Sequence, residues 1–173
     1  MCGRFSLVTS KAEIAAWFKC VSVDLNRPRY NIAPSQDITV VIDKEQNREA
    51  VLMCWGQIPH WVKDLASWNS NLINARVETI RQKPSFRGGF KKRPCLIPAS
   101  GFYEWHRSQN SSQKQPYYFQ TERDLFALAG IYEVWTDDDT EEEIRSCTIL
   151  TTEAKGAIAN IHHRMPVIIQ AEH

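Results

Sequence analysis

Apolar residues near the start of the chain recur with the period of a helix. In the stretch SKAEIAAWF, Ile14, Trp17 and Phe18 lie on one face of a 3.6-residue repeat. Ser10 precedes this stretch and Glu13 follows three residues later, a spacing typical of a capping box at a helix N-terminus. The pattern therefore predicts one short helix that begins after Ser10.

Most other apolar segments are short, rich in β-branched and aromatic residues, and separated by turn-forming residues, which is typical of strands. We predict an α+β fold with a mainly antiparallel curved sheet or barrel-like β core and a few short helices. The connections 56–79 and 81–92 are predicted to be irregular loops of the kind that often carry binding residues. The predicted strand segments are 38–42, 50–55, 93–99, 116–120, 125–135, 145–151 and 166–169.

Length and composition indicate a packed protein. A chain of 173 residues suits a single domain over 1–173, and 43% hydrophobic residues with six tryptophans favour a globular core. No apolar run approaches the ~20 residues of a membrane span, and no secretion signal is recognisable, so we expect a cytoplasmic protein. Five cysteines without a C-x-x-C pair fit neither a disulfide framework nor a zinc site, and we expect neither metal nor cofactor.

Charge is segregated although the formal net charge is only +1. The segment 76–93 holds seven basic residues and one acid, Glu78, whereas 133–143 holds seven acids and no base. The basic segment indicates either a contact with a polyanion or a solvated loop. The run DDDTEEE within it, 137–143, is typical of an exposed hairpin tip.

The N-terminal sequence MCGRF places a cysteine directly after the initiator methionine. Removal of Met1 would leave Cys2 with an α-amine and a thiol on adjacent carbons, with reference pKa values of about 8 and about 8.5. This group could attack a peptide bond, or it could condense with an aldehyde to a Schiff base that the thiol closes to a thiazolidine. The alternative is that Cys2 belongs to a frayed terminus without function.

Other motifs carry possible partners for Cys2. Glu104 lies among aromatic residues in GFYEW, where a desolvated carboxylate could act as acid or base, although a surface glutamate is the alternative. His162 and His163 are adjacent in NIHHRMP, and on an extended segment they would point to opposite faces. Asn74 and Arg76 in LINARVET would share one face of a strand, as an amide and a phosphate-binding cation.

Six ordered motifs, MCGRF, RYNIAPSQ, WG, LINARVET, GFYEW and IHHRMP, together resemble the SOS response-associated peptidase (SRAP) family over nearly the whole chain. The resemblance implies the SRAP fold and an enzyme that senses and processes abasic sites in single-stranded DNA. It also implies a covalent crosslink, or lyase-type chemistry, through an N-terminal cysteine that forms a thiazolidine.

Carried onto this chain, the resemblance implies a role for each matching residue. Cys2 would be the reagent, Glu104 would shuttle protons, His162 would assist opening of the deoxyribose, and Asn74 would orient the reacting groups. His163 occupies a variable position of the motif. The implied DNA-binding residues are Arg4, Pro34, Trp61, Arg76 and Thr151, with Trp68 as an alternative to Trp61 for stacking on a base.

The resemblance further implies that the same site removes Met1 by autoproteolysis, although ordinary aminopeptidase trimming would suffice for a single residue, and that the family continues for tens of residues beyond His173. We therefore expect a chain truncated at its C-terminus. We also expect a monomer. Two other functions remain open from the residues. Cys2 and His162 could form the dyad of a cysteine peptidase or amidohydrolase acting on peptides, or the aromatic residues and basic loop could form a non-catalytic single-stranded DNA-binding domain.

Overall fold

The computed structural model describes residues 2–25, 27–68, 72–107 and 113–169. These residues form two α-helices, α1 (Lys11–Phe18) and α2 (Pro84–Lys92), and a 3₁₀ helix over Gly156–Asn160. No helix in these ranges is both long and apolar enough for a membrane crossing. The strands are β1 (Phe5–Leu7), β2 (Cys20–Val23), β3 (Arg29–Ile32), β4 (Asp37–Lys44), β5 (Asn47–Trp55), β6 (Asn74–Arg76), β7 (Pro94–Ala99), β8 (Gly101–Arg107), β9 (Lys114–Phe119), β10 (Phe126–Thr136), β11 (Glu143–Glu153), β12 (Arg164–Pro166) and β13 (Ile168–Ile169).

Five long strands close into a barrel. Strand β4 pairs antiparallel with β5 and β7, β7 pairs with β10, and β10 pairs with β11. A parallel contact between β11 and β5, at Ser146 beside Cys54, joins the two ends of this sheet. Closure removes the free edges of these strands and buries one face of each. The predicted α+β fold with a barrel-like, mostly antiparallel core is confirmed.

A second, antiparallel sheet lays the N-terminal segment against the barrel. Its strand order is β3-β1-β8-β9, with Phe5 opposite Phe102. The Phe5 ring packs edge-on against Trp55 of the barrel strand β5, with 5.3 Å between the ring centroids. Aromatic pairs of this geometry add to the free energy of burial. The residues just before β1 are thereby held close to β8.

Helix α1 begins and ends where local sequence predicts. The Ser10 hydroxyl accepts a hydrogen bond from the Glu13 backbone N–H, and the Glu13 carboxylate accepts one from the Ser10 N–H at 2.8 Å, so the capping box is confirmed. Ile14 and Phe18 are buried on the predicted face. Lys19, with φ 57°, ends the helix in a left-handed conformation.

Each predicted strand segment overlaps an observed strand: 93–99, 116–120 and 125–135 extend one residue beyond theirs, and 166–169 is divided between β12 and β13. The prediction of an irregular loop over 81–92 is wrong because this segment contains α2. The glycines Gly88 and Gly89 weaken the helical signal, since each lowers helix stability by about 1 kcal/mol relative to alanine. Gly89 packs closely against β10, because a Cβ there would lie 3.2 Å from the Tyr132 carbonyl oxygen, closer than most Cβ contacts.

The acidic segment has two different environments. Residues 137–142 form the tip of the β10–β11 hairpin, as predicted. Glu133, in contrast, is buried on β10, where its carboxylate accepts a hydrogen bond from the Arg93 guanidinium and contacts His60 at 3.4 Å. A buried carboxylate needs such partners to offset its desolvation. Glu133 is therefore a buried ion-pairing residue of the barrel, separate from the hairpin tip predicted for 137–143.

Candidate active site

Strand β11 brings two distant motifs together. Beyond its pairing with β5 and β10, the strand is flanked by β6 on one side and by β12 on the other. Thr151 of β11 is paired with Arg76 of β6 and with Pro166 of β12. The LINARVET and IHHRMP motifs therefore lie on either side of a single strand, although residues 80–160 separate them along the chain.

Cys2 is anchored at this place. Its side chain has no exposed surface, and its carbonyl oxygen accepts a 2.9 Å hydrogen bond from the Asn74 side-chain amide. The other side-chain atom of Asn74, Oδ1, is buried and has no hydrogen-bond partner within the described ranges. The frayed-terminus alternative does not hold for Cys2, and Asn74 Oδ1 remains available to a ligand.

Glu104 is buried on β8 close to the Cys2 thiol. Its exposed fraction is 2%, so the surface-glutamate alternative is wrong. Burial raises the pKa of the Cys2 thiol to about 12, and the neighbouring Glu104 carboxylate contributes to this rise in pKa. The thiol is therefore protonated at neutral pH. Any reaction of this sulfur requires a base that accepts its proton, and Glu104 is a carboxylate beside it.

The two histidines lie side by side. The Ile158 carbonyl oxygen accepts 2.9 Å hydrogen bonds from the N–H groups of both Ile161 and His162, so the chain turns here and becomes extended only at Arg164. The His162 and His163 rings stack with 4.4 Å between their centroids. The prediction that they point to opposite faces is wrong because that rule applies only to extended backbone.

The backbone of Arg164 holds the His162 ring. Its N–H donates to Nδ1 of His162 at 2.9 Å, which places the proton of the neutral ring on Nε2. The Arg164 carbonyl oxygen lies 3.1 Å from the same nitrogen and could accept a hydrogen bond from a protonated ring. His162 therefore has a partner in both protonation states. The proximity of His162 lowers the pKa of the exposed His163.

The Arg164 side chain fastens this turn to β11. It is 8% exposed and donates two 2.9 Å hydrogen bonds to the Glu78 carboxylate and one of 2.7 Å to the Thr151 carbonyl oxygen. Thr151 is itself fully buried, and its hydroxyl donates to the Ala75 carbonyl oxygen at 3.5 Å. These contacts connect β6, β11 and β12, so Arg164 and Thr151 position the residues that line the site.

Replacing Glu78 by glutamine is expected to remove part of the acid sensitivity of folding. Hydrogen bonds from Arg164 lower the pKa of Glu78 from 4.5 to about 2. A carboxylate with a lowered pKa stabilises the fold above its unfolded pKa, and this stabilisation is lost as pH falls through the folded pKa. Urea unfolding should show a larger loss between about pH 5 and about pH 2 for wild type than for Glu78→Gln. Glu143→Gln, which alters an exposed pair with Arg145, is the control; equal losses in all three proteins would contradict the assignment.

A cavity of about 670 Å³ opens beside Glu104, His162 and His163. Its wall also carries His106, Arg107 and Lys114 of the β8–β9 hairpin, which sequence reasoning missed. Strand alternation from Glu104 could have placed His106 on the same face. Within the described part of the chain, no cluster of three or more His, Cys, Asp or Glu side chains could hold a metal ion. The cavity thus combines a carboxylate with several cationic or ionisable nitrogen groups.

Three of the predicted DNA-contacting residues are at least partly exposed. Arg76 is exposed on β6 and shares a strand face with Asn74, as predicted from their spacing. Arg4 is half-buried and donates to the Asn31 side-chain oxygen at 2.9 Å. Pro34 is half-buried in the turn between β3 and β4. Arg4 therefore places a positive charge on the N-terminal segment, and Arg76 places one on β6.

The two candidate stacking tryptophans contact each other. Trp61 is 49% exposed, and its ring lies edge-on to the half-buried Trp68 with 5.7 Å between centroids. The neighbouring Val62 carbonyl oxygen accepts a 2.6 Å hydrogen bond from the Trp135 indole, which fastens this loop to the barrel. The core-residue alternative is wrong for Trp61. Trp61 presents the larger free surface, and Trp68 supports it from the side.

Comparison with known proteins identifies relatives over the whole chain. The family model described as SOS response associated peptidase matches residues 1–173. Abasic site processing protein YoaM of Bacillus subtilis is 40% identical over 177 residues, which cover 100% of this chain and 77% of that protein. Abasic site processing protein HMCES of Pongo abelii is 30% identical, over 84% of this chain and 51% of that protein. A crystal structure of a Bacteroides thetaiotaomicron protein superposes with a TM-score of 0.89 at 30% identity, covering 99% of this chain and 78% of that one.

Proposed function

Because the chain belongs to the SOS response-associated peptidase family, we propose that it recognises abasic sites in single-stranded DNA and links to them covalently through Cys2. The observation that carries this proposal is the buried Cys2, which Asn74 holds next to Glu104 at a cavity that His162 also lines. Two relatives are named abasic site processing proteins, which supports the choice of substrate.

The first covalent step joins the Cys2 amine to the lesion. The deoxyribose of an abasic site is a masked aldehyde, and opening its ring requires a proton at O4′. The imidazolium form of His162 is the donor we assign: Nε2–H gives its proton to O4′ while Nδ1–H donates to the Arg164 carbonyl oxygen, and the ring regains a proton from the C1′ hydroxyl as the aldehyde forms. The amine then adds to C1′, and the Glu104 carboxylate carries a proton from the nitrogen to the carbinol hydroxyl, which leaves as water. The product is an imine between the Cys2 nitrogen and C1′.

The second step closes the ring. The Cys2 sulfur adds to the imine carbon while Glu104 accepts the thiol proton and passes it to the imine nitrogen. Because burial holds the pKa of this thiol near 12, proton transfer to a neighbouring base is needed at neutral pH. The overall reaction consumes one aldehyde and one aminothiol and releases one water. Five-membered ring formation makes the product more stable than an open imine.

The reaction requires a free α-amine on Cys2. While Met1 is attached, this nitrogen belongs to an amide and cannot form an imine. Met1 lies outside the described residues, and we include its removal at the same site in the proposal. The family description as a peptidase and the closeness of Glu104 to Cys2 support this extension.

A cysteine peptidase that acts on other peptides fits this geometry less well. Such enzymes depend on a thiolate, which a cationic neighbour stabilises by lowering the thiol pKa. In this protein burial and Glu104 act in the opposite direction on the pKa of Cys2. The arrangement favours a thiol that reacts after the amine, when the electrophilic imine carbon is already next to the sulfur.

DNA would be held around the lesion by residues of several elements. Arg4 and Arg76 would contact phosphates, and Trp61 would stack on a neighbouring base, an interaction worth about 1–3 kcal/mol per base. Pro34 would line the path of the strand. Thr151 is buried, so we assign it an indirect contribution through its contacts with Ala75 and Arg164. The proposed complex is that of a monomer with one DNA strand.

The test is an intact-mass measurement after incubation with an oligonucleotide that contains one abasic site. We expect a product with the mass of the Met1-free protein plus the oligonucleotide minus one water. The undamaged oligonucleotide should give no such product. Noncovalent binding without any mass gain would instead support a non-catalytic single-stranded DNA-binding domain.

Replacing His162 by alanine should slow crosslinking by about 10² or more, since general acid catalysis contributes this much in comparable sites. His163→Ala is the matched control. The His163 ring stacks on that of His162, but the Arg164 N–H donates its hydrogen bond to His162. We expect the control to change the rate by less than about threefold. Single-turnover rates at saturating abasic-site DNA measure this difference. Equal slowing in both variants would remove the role assigned to His162.

A further inference from the structure

A basic surface lies on α2, away from the cavity that Glu104 and His162 line; we call that cavity the catalytic cavity. The basic surface is a groove of about 560 Å³ lined by Arg81, Arg87, Gly88, Phe90 and Lys91, and we call it the α2 groove. Three of these five residues carry a positive charge, and none carries a negative charge. A concave surface with this composition favours an anionic ligand.

The cations of the α2 groove project from a fixed support. Phe86 and Gly89 bury the inner side of α2 against the barrel, where Gly89 fits closely against the Tyr132 carbonyl oxygen. The Arg81 guanidinium lies 5.6 Å from the centroid of the Phe90 ring, a cation–π contact that restricts this side chain. Binding of an anion would therefore cost less side-chain entropy in this groove than at freely moving surface cations.

The α2 groove and the catalytic cavity lie on different sides of β6. Ala75 packs in the same hydrophobic cluster as Phe86 of α2, whereas Asn74 and Arg76 lie on the opposite face of the strand. Arg81 follows Arg76 by five residues, so their Cα atoms are at most about 18 Å apart. A ligand that passes Arg76 could thus reach the α2 groove around the end of β6.

We propose that the α2 groove binds the phosphate backbone of the DNA that flanks the lesion. This inference rests on the proposed function, which supplies the polyanion. With a net charge of only +1, the protein as a whole attracts DNA weakly, and local groups of cations must provide the attraction. Single-stranded and duplex flanks share the phosphodiester chemistry that the groove would recognise.

Gly88 offers a sharp test. A Cβ added at this position meets nothing within 4 Å, so both Gly88→Glu and Gly88→Ala can be accommodated, and both raise helix propensity. Only Gly88→Glu places a carboxylate among the three cations. We expect Gly88→Glu to weaken binding to an undamaged oligonucleotide by about tenfold and to reduce the slope of log K against log salt by about 1. Gly88→Ala should bind as wild type does.

A second pair of variants tests the cations directly. Arg87→Ala/Lys91→Ala should lower affinity and salt slope in the same direction, whereas Lys11→Ala/Lys44→Ala removes two exposed cations elsewhere and should have little effect. If Gly88→Glu and Gly88→Ala have the same affinity and the same salt slope, the inference is overturned. It is also overturned if the Lys11/Lys44 variant loses as much affinity as the Arg87/Lys91 variant.

Failure of this inference can be distinguished from failure of the proposed function. Gly88→Glu should retain the wild-type crosslinking rate at saturating abasic-site DNA, because the reacting groups lie on the other face of β6. A wild-type protein that forms no crosslink would contradict the proposed function, not the DNA contact. Oligonucleotides with single-stranded flanks and with duplex flanks identify the source of the phosphates: the flank on which Gly88→Glu has the larger effect is the one that the α2 groove binds.

Discussion

Replacement of Cys2 by alanine is expected to abolish the heat-stable product with abasic-site DNA. Prepared with Met1 removed, the alanine variant still has an α-amine that could form an imine with the aldehyde, but without the sulfur the thiazolidine cannot close. An imine hydrolyses when the protein is denatured, whereas borohydride reduces it to a stable amine. The variant should therefore give a product only when the reductant is present.

Denaturing electrophoresis with and without borohydride measures this difference, and intact mass identifies each product. Cys20→Ala is the control, because Cys20 is a half-buried cysteine on β2 and not part of the site. It should crosslink as wild type does. A heat-stable product that forms equally well with Cys2→Ala in the absence of reductant would contradict the thiazolidine mechanism.

Replacement of Glu104 by glutamine is expected to slow crosslinking by about 10²–10³ without weakening DNA binding. Glutamine keeps the volume of the buried side chain but cannot transfer a proton. The test is decisive because the electrostatic effect of this substitution on the Cys2 thiol and the loss of proton transfer change the rate in opposite directions. Because the Glu104 carboxylate raises the pKa of the Cys2 thiol, its removal should lower this pKa and increase the thiolate fraction at a given pH.

Electrostatics alone would therefore make Glu104→Gln faster, and loss of proton transfer would make it slower. Single-turnover rates across neutral pH measure the outcome, with noncovalent affinity for undamaged DNA as a check on binding. Glu143→Gln changes a carboxylate on the exposed hairpin and should leave the rate unchanged. A Glu104→Gln rate equal to or above that of wild type would refute proton transfer by Glu104.

Local sequence was sufficient for the long elements. Helix α1 is predicted from its capping box and apolar face, and the barrel strands from their short β-branched segments, because these signals depend on neighbouring residues only. Helix α2 was missed because Gly88 and Gly89 weaken its pattern. Strand β6 has only three residues, and its pairing with β11 supplies hydrogen bonds that no local pattern records.

The sequence by itself determined which groups are available for chemistry: an aminothiol at Cys2 once Met1 is removed, a carboxylate at Glu104, an imidazole at His162. Only the tertiary structure decided that Cys2 is buried beside Glu104 and that His162 and His163 stack on a turn. The physical reason is that closure of the barrel and pairing along β11 join segments far apart in the chain, and burial then sets the protonation of the thiol.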